Sequence, residues 1–595
     1  MKAIFLRMRT NPLCWLAIAT VVLAGCGKSR GPTSSTPHAL PEPPYVSACE
    51  PGQPGGRLAL AVTTPPRTFN PVFAPDAPSD QVTRLLFAGL VQFDFAKQEV
   101  VPGLAESWSV APDGKTWTFK LRRGLRWSDG HALTADDVAF TWNDIIYNPR
   151  IKAPLAAVFR IGNRNFTVSA PDDRTVAVVT PEVFAPFVEF FGTVPVLPRH
   201  ALGDAAKRGN FSAAYGVDAR PDRIVGAGAF RLKEHRPGQL TVLEGNPEFW
   251  ATDRAGRRLP YLDELHLVVT NSVVQMLAGQ SDACERIRAE EFAPLQAAAA
   301  SGRFRLVELG PGAERDFLWF NQNTNVNRIA GTPFVAPHKL AWFRNTAFRQ
   351  AVARALDRER IVREVFGGRA VPCETYLGPE TVRWNNPGVP RFGFNRERAR
   401  ALLAQAGLQD RNSDGVAEDA EGRPCEITLL TNAGNPARER IAAFIADDLR
   451  QVGVKLDVQL VPFALLERKV NEEFTYEAAL MGLSGGGSDP ASHLGVLRSD
   501  DPMHQWFPGE PTPSTAWEAR IDELMNSQMR TLDFAARKKC FDEVQAILGE
   551  QMPMIYTVTP ILHTAVRADL ANLRPAVLSA TPLTWNMEEL WLKTK

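Results

Sequence analysis

The sequence predicts an α/β fold, in which helices pack on strands that are joined into sheets. Short β-forming runs, each bounded by Pro, Gly or Asp, recur in the first half of the chain. Amphipathic helical patterns are stronger in the second half, and the one at residues 437–452 leads through Gly453 into an alternating apolar run at 454–460. A helix that leads directly into a strand is typical of α/β layers.

The elements follow from these patterns in chain order. Strands are predicted at residues 57–62, 117–121, 175–179 and 240–244. Thr134 is the predicted N-cap of a helix, because two acids and then apolar residues at helical spacing follow it. One long helix is predicted over residues 345–366, where the apolar residues share a face and Gly367 gives a C-terminal stop.

Composition sets the class of protein. The chain has 595 residues, which excludes a single small module. Hydrophobic residues make up 45% and charged residues 22%, values that provide a core and exclude a disordered chain. Lys plus Arg is 67 against 66 for Asp plus Glu, so charge gives no reason to expect a nucleic-acid partner.

The N-terminus has the pattern of a secretion signal at residues 1–25. Basic residues precede an apolar run at residues 13–24, which is too short to span a membrane comfortably. The run ends in Leu-Ala-Gly-Cys, which resembles the bacterial lipobox, so we expect cleavage before Cys26 and acylation of Cys26. Residues 26–55, rich in Pro and Ser, would be a flexible tether. The protein would then be anchored by lipid in the cell envelope, on the periplasmic or extracellular face.

Five cysteines remain after Cys14 and Cys26 are set aside. They are Cys49, Cys284, Cys373, Cys425 and Cys540. In an oxidising compartment we expect one or two disulfides and at least one unpaired thiol, with no deducible connectivity. Their wide spacing argues against a metal site built from thiolates.

Residues 410–421 fit the calcium-loop pattern D-x-[DN]-x-[DN]-G-x5-E over its full length. The predicted ligands are Asp410, Asn412, Asp414, the carbonyl of Val416 and bidentate Glu421. Because a helix and a strand flank the loop, a structural Ca²⁺ would occupy a helix-loop-strand site and not a paired EF-hand. The alternative is an acidic, solvated loop. No other cofactor is expected.

Gly482 to Gly486 also fits the hydrolase pattern G-x-S-x-G, with Ser484 at its centre. A nucleophilic serine of this type stands on a turn from a strand into a helix. Here three glycines and an Asp-Pro step follow, so we expect no enzyme activity. A secreted serine hydrolase using Ser484 is retained as an alternative function.

Several phrases resemble the family 5 extracellular solute-binding proteins of peptide and nickel ABC importers. They are PGLAESW at 102–108, DGKTWTFKLR at 113–122, WSDG at 127–130, LTADDV at 133–138, VGAGAFRL at 225–232, NPEFW at 246–250, FRQAV at 348–352, LDR at 356–358 and DLRQVGV at 448–454. Their order covers nearly the whole mature chain.

The resemblance implies a two-lobed, periplasmic-binding-protein-like fold that closes around a hinge. By analogy, the core of lobe I would comprise residues 56–84, 226–311 and 551–595, with an extra subdomain at 85–225, and lobe II would comprise residues 312–550. The crossing strands would lie near residues 317–321 and 554–556. The implied function is capture of a peptide or another small polar solute by a monomer that delivers it to an ABC permease. A periplasmic adaptor or chaperone is a further alternative.

The resemblance also suggests which residues line the cleft. They are Phe69, Asn70, Trp319, Asn321, Leu483, Ser484, Gly486, Asp489 and Trp506. Peptide-binding relatives carry an aromatic residue six positions before the Asp-Pro acid and another acid three positions before it, and here those positions are Leu483 and Gly486. We therefore expect a blocked peptide or a different polar solute, unless Asp489 replaces the missing acid. Core packing of the two tryptophans and simple turns at Asn70 and Asp489 are the alternatives.

Overall fold

A computed structural model describes residues 37–74, 76–270, 272–288, 291–327, 331–483, 487 and 489–593. The predicted signal, Cys26, the first part of the tether, Ser484 and Gly486 lie outside the described residues. Within them the predicted α/β fold is confirmed, with three multi-stranded sheets and the helices that pack on them.

The first of these, which we call the large sheet, has Arg57–Val62 near its centre. This strand is buried and pairs in parallel with Glu264–Val269 and Ala283–Cys284, as its run of apolar residues favours. The order across the sheet is Phe230–Arg236, Leu240–Gly245, Glu264–Val269, Arg57–Val62, Ala283–Cys284, Val558–Arg567 and Phe304–Pro311, with Ala370–Pro372 also paired to Val558–Arg567.

A four-stranded antiparallel sheet forms within residues 105–179. Its order is Ala105–Val110, Thr116–Leu121, Thr175–Val179 and Thr167–Asp172. Trp117 and Phe119 point from it onto Phe187 and Phe191, and the Trp117 and Phe187 rings stack with centroids 4.7 Å apart. One hydrophobic cluster spans this sheet and the large sheet, so we treat the two together as the large-sheet lobe.

The small sheet has the order Lys455–Val461, Glu426–Asn432, Ala478–Leu483, Arg315–Phe320 and Ile555–Tyr556. Successive residues of Arg315–Phe320 enter different cores, Leu318 and Phe320 one and Phe317 and Trp319 the other. This alternation is the period of a strand that is covered by helices on both faces. We call the small sheet and these two cores the small-sheet lobe.

The helices surround the three sheets, and short two-stranded ribbons complete the fold. The α-helices are Ala77–Leu86, Ala135–Phe140, Leu155–Val158, Phe187–Gly192, Arg199–Arg208, Ser272–Ala278, Phe292–Ala299, Pro337–Arg344, Thr346–Ala355, Arg358–Phe366, Arg396–Gln405, Pro436–Arg450, Phe463–Arg468, Leu494–Leu497, Ala516–Met529 and Phe534–Gln551. The ribbons pair Tyr45–Val46 with Ala251–Thr252, Val91–Asp94 with Glu99–Pro102, Arg160–Ile161 with Arg164–Asn165 and Leu570–Ala571 with Trp591–Leu592. Within the described ranges, no helix has the length and apolar character needed to cross a membrane.

The single long helix predicted over residues 345–366 is wrong, because the chain forms two helices there. Leu356 adopts an extended conformation, and the side chain of Asp357 accepts a hydrogen bond from Arg360 N, so that a second helix begins. The end of the pattern is as predicted, since Gly367 closes the second helix with a φ of 56°.

The expectation of one or two disulfides is also wrong. All five cysteines of the described residues are free thiols. Cys49, Cys284, Cys373 and Cys425 each belong to a different hydrophobic cluster. A disulfide requires Cα atoms within about 7 Å, and these side chains serve instead as small apolar residues of separate cores.

Candidate ligand-binding cleft

Outside the hinge, described residues of the two lobes touch on two sides of the cleft, and on one of them Arg530 Nη2 pairs with Glu182 Oε2 at 3.0 Å. The Gln98 side chain, from the loop between Val91–Asp94 and Glu99–Pro102, donates from Nε2 to the carbonyl oxygen of Glu380 at 2.5 Å. On the other side Ala185 N donates to Met529 O at 2.8 Å, and the Met529 side chain packs against the cluster of the large-sheet lobe. The structure is therefore that of lobes closed on one another.

Glu189, on the helix Phe187–Gly192, faces the small-sheet lobe beside these contacts. Within the described part of the chain no hydrogen bond or ion pair reaches its carboxylate. Burial and then the nearby Asp489 raise the pKa of Glu189 to about 7, while Arg537 and Arg383 act in the opposite direction. A carboxyl group without a partner in such a place is suited to receive a donor from a ligand.

Asp489, which Glu189 faces, is already paired. Its Oδ1 accepts from Arg537 Nη2 at 2.7 Å and from Ala491 N at 2.9 Å, the second bond capping the short helix Pro490–His493. The side chains of Asp489 and Arg537 are 6% and 8% exposed, so this is a buried ion pair. The guanidinium also lies 5.1 Å from the centre of the Trp384 ring. These contacts favour the alternative of a turn at Asp489, whose ligand-binding role stays a prediction.

A cavity of about 250 Å³ lies where the chain passes from the large sheet to the small sheet. Its wall includes Arg315 and Glu380, whose side chains form an ion pair, and Arg391. Arg315 also donates to the carbonyl oxygen of Tyr376. The hinge end of the cleft is thus polar and carries charges of both signs. Two of these charges, on Arg315 and Glu380, neutralise each other.

Two of the predicted cleft residues, Phe69 and Asn70, belong to the interior of the large-sheet lobe. Phe69 is fully buried and meets the His235 ring edge to face at 5.1 Å. Asn70 caps the turn Pro71–Phe73 through Val72 N and donates to the carbonyl oxygens of Phe211 and Ala214, both at 3.0 Å. These contacts favour the alternative of a turn.

Three more, Trp319, Asn321 and Trp506, are fully buried in the small-sheet lobe. The indole nitrogens donate to partners in their own lobe, Trp319 to Tyr476 Oη at 3.1 Å and Trp506 to Glu518 Oε1 at 2.9 Å. Asn321 donates to the carbonyl oxygens of Phe474 and Tyr476. Since none has a polar atom to spare, core packing explains all three, and their binding role stays a prediction.

Leu483 lies closer to the cleft, because it ends its strand opposite Arg315.

The residues that the sequence analysis missed are Glu189, Glu380 and Arg315. One signal pointed to Glu189, a single acid within a run that holds four phenylalanines at residues 184–191. For Arg315 and Glu380, which are 65 positions apart, the local sequence carries no signal of pairing.

The predicted calcium loop brings two of its acids together. Ligand oxygens of Asp410, Asp414 and Glu418 lie within 4.8 Å of one another. Gly415 makes the sharp turn with a φ of 91°, and its N donates to Asp410 Oδ2 at 3.0 Å. Asn412 donates to Asp414 Oδ2 at 3.0 Å. This half of the loop has the predicted form.

The other half differs, because Glu418 and not Glu421 joins the two aspartates. Bridges from Glu418 to Gln409 and Pro424 fold the chain back over the loop, and a turn at Asp419 then directs Glu421 outward. Glu421 pairs with Arg423 at 2.6 Å and is 65% exposed. Calcium binding stays a prediction, with Glu418 in place of Glu421 as its third carboxylate.

Comparison with known proteins identifies the family. The model of bacterial extracellular solute-binding proteins, family 5 Middle, matches residues 99–505. A probable ABC transporter-binding protein of Deinococcus radiodurans is 29% identical over 525 residues, 84% of this chain and 86% of that protein. The oligopeptide-binding protein AppA of Bacillus subtilis is 25% identical over 595 residues, 97% of each chain.

A solved structure shares the fold. The periplasmic binding protein MelB of Agrobacterium fabrum, in complex with stachyose, superposes with a TM-score of 0.69 at 23% identity, over 93% of this chain and 88% of that chain. Family model and fold agree with the closed, two-lobed arrangement described above. The chain therefore belongs to the family 5 bacterial extracellular solute-binding proteins.

Proposed function

We propose that this chain is the substrate-binding component of an ABC importer and holds a peptide or another small polar solute between its lobes. The observation that carries the proposal is the Glu189 carboxyl group, which faces the opposite lobe without a polar partner. A ligand that donates a hydrogen bond or an amine to Glu189 binds the closed state better than the open one, and so favours closure.

The class of ligand has to be inferred from the cleft residues of this chain. One relative is named for oligopeptides, whereas a protein of the same fold was solved with stachyose. Here Arg537 neutralises Asp489. Gly486 occupies the position at which peptide-binding relatives carry the acid that anchors the peptide. Glu189 is thus our candidate anchor.

Calorimetry with a short peptide and its N-acetylated form tests the anchor. Because the pKa of Glu189 is about 7, its ionised fraction rises from pH 6 to pH 8. The free-amine peptide should therefore bind about tenfold more tightly at pH 8 than the acetylated one, and this preference should shrink at pH 6.

Glu189→Gln should abolish the preference for the free amine, while Glu106→Gln, which alters an acid paired with Arg174 in the four-stranded sheet, should not. Preference for the acetylated form would instead support a neutral solute, and unchanged binding by Glu189→Gln would remove Glu189 from the site.

Binding, and not hydrolysis, is the activity we infer. The Asp-Pro step after Ser484 begins the short helix Pro490–His493, and Asp489 is the N-cap residue of that helix. A chromogenic ester assay that compares the parent protein with Ser484→Ala checks the alternative of a serine hydrolase. A ligand that co-purifies in the cleft would separate a receptor from a periplasmic adaptor or chaperone.

The proposal includes a lipid anchor at Cys26, a monomeric receptor and delivery to a membrane permease. Its support is the lipobox-like sequence at residues 23–26 and the extracellular family to which the chain belongs. Metabolic labelling with a fatty acid should mark the parent protein and leave Cys26→Ser unlabelled. Equal labelling of the two would place acylation elsewhere.

A further inference from the structure

A second group of ionisable side chains lies deep in the small-sheet lobe, away from the cleft acids. It comprises His504, Glu510 and Glu518, which are 0%, 1% and 2% exposed. One ligand atom of each lies within 4.8 Å of the other two. His504 and Glu510 belong to the loop after Leu494–Leu497, and Glu518 is in the first turn of Ala516–Met529.

The hydrogen bonds fix what each group presents to the centre of this cluster. His504 Nδ1 lies 3.1 Å from the carbonyl oxygen of Val496, and because a carbonyl only accepts, Nδ1 carries the hydrogen. Nε2 is then the ring nitrogen on the side of the two carboxylates. A histidine that is oriented in this way by a backbone carbonyl has the usual arrangement of a metal ligand.

Two polar atoms at the centre of the cluster have no hydrogen-bond partner among the described residues. His504 Nε2 and Glu510 Oε2 are both buried and make no hydrogen bond with any residue that the structure describes. Nε2 lies 3.9 Å from Glu518 Oε1, too far for a hydrogen bond. Acceptors that face one another in a dry interior are costly unless a cation lies between them.

The other contacts of the two carboxylates hold them in place. Glu510 Oε1 accepts from Ser514 N at 2.7 Å. Glu518 accepts from Trp506 Nε1 at 2.9 Å and from Thr515 Oγ1 at 2.6 Å. Burial raises the pKa of Glu510, and the neighbouring Glu518 acts in the same direction, while the hydrogen bonds from Ser514 act in the opposite one. The nearby cations point elsewhere, since Arg344 donates to Ser514 and Arg349 to the carbonyl oxygen of Phe343.

We propose that His504, Glu510 and Glu518 bind a divalent transition-metal ion of the zinc class, which joins the loop to the helix Ala516–Met529. One imidazole nitrogen and two carboxylates are ligands that Zn²⁺ accepts, at about 2.0–2.2 Å. Binding would draw the three ligand atoms together, and would place a positive charge between two buried carboxylates.

The test is titration of the chelator-treated, purified protein with Zn²⁺ alone, followed by metal analysis and thermal melting. The parent protein should take up one equivalent at this site and melt at a higher temperature, since the ion binds the folded state. Glu510→Gln keeps the shape of the side chain, but the variant should bind no Zn²⁺ at this site or bind it at least tenfold more weakly. Without zinc it should melt no lower than the parent, because it removes an unpaired buried charge.

A matched control separates this site from a surface one. Asp129, His131 and His200 also lie within ligand distance of one another, but all three are exposed. His200→Ala should therefore leave the Glu510-dependent equivalent intact. No zinc uptake by the parent, or the same uptake by Glu510→Gln, would overturn the proposal. The absorption of the Co²⁺-loaded parent protein also reports the ligands, and a spectrum identical to that of Co²⁺-loaded Glu510→Gln would overturn the proposal as well.

Discussion

At the scale of single residues, the cleft of this protein is defined by which charges are already neutralised. Asp489 shares its Oδ1 between Arg537 and the backbone of Ala491, and both side chains of the ion pair are nearly buried. Glu189 has no such partner among the residues that the structure describes. The paired acid therefore holds the cleft wall in shape, while the unpaired one is available to a ligand.

Replacing Arg537 should be costly, because it leaves Asp489 buried and uncompensated. Arg537→Met should lower the free energy of unfolding by about 3–5 kcal/mol. The control is Arg520→Met, whose partner Glu543 is largely exposed and whose loss should cost less than about 1 kcal/mol. Urea unfolding of both variants measures the difference. Equal effects would mean that Arg537 and Asp489 are hydrated in solution.

The sequence could not tell core tryptophans from cleft tryptophans. A strand covered on both faces has apolar residues at every position, so Trp319 and Leu318 look alike although they enter different cores. Local chemistry is easier to predict, since Thr134 starts a helix as expected, whereas Asn70, predicted for the cleft, follows its alternative of a turn. The partner of Arg315 depends on tertiary structure, because Glu380 lies 65 positions away.

At the scale of elements, the loop at residues 410–421 combines a predicted half and an unpredicted half. Positions 1 and 5 of the calcium pattern meet, but position 9 replaces position 12 as the third carboxylate. The pattern could not show this, because the replacement depends on the bridge from Glu418 to Gln409 and on the ion pair of Glu421 with Arg423. The long helix fails for a similar reason, since a capping Asp357 looks like an ordinary helical residue in the sequence.

The loop gives a prediction that compares its two glutamates. Millimolar Ca²⁺ should raise the melting temperature of the chelator-treated protein, because the ion binds only the folded loop. Glu418→Gln should remove most of this shift, and Glu421→Gln should preserve it. An equal melting temperature with EDTA and with Ca²⁺ would instead favour the solvated loop, and loss of the shift in Glu421→Gln alone would restore the original ligand set.

At the scale of the whole molecule, the described structure is closed by few contacts. The chain passes between the sheets at residues 311–315 and near Thr557, and outside this hinge described residues of the lobes meet through Gln98 with Glu380, Ala185 with Met529, and Glu182 with Arg530. Single hydrogen bonds and an exposed ion pair each contribute little free energy, which suits a receptor that must open again. The predicted lobe boundaries, residues 312–550 for lobe II among them, stay a prediction.

Gln98 should therefore control the balance between open and closed forms. Its Nε2 donates to Glu380 O across the cleft, its own carbonyl accepts from Arg383 Nη1 at 3.2 Å, and its φ is 55°. Gln98→Ala removes the side-chain bond, worth about 0.5–1.5 kcal/mol, and should weaken ligand binding by about threefold to tenfold. Gln92→Ala is the control, since Gln92 bonds to Pro102 within its own hairpin. Small-angle scattering without ligand should show a larger radius of gyration for Gln98→Ala alone. If both variants bind and scatter like the parent protein, closure is held by Met529 and not by Gln98.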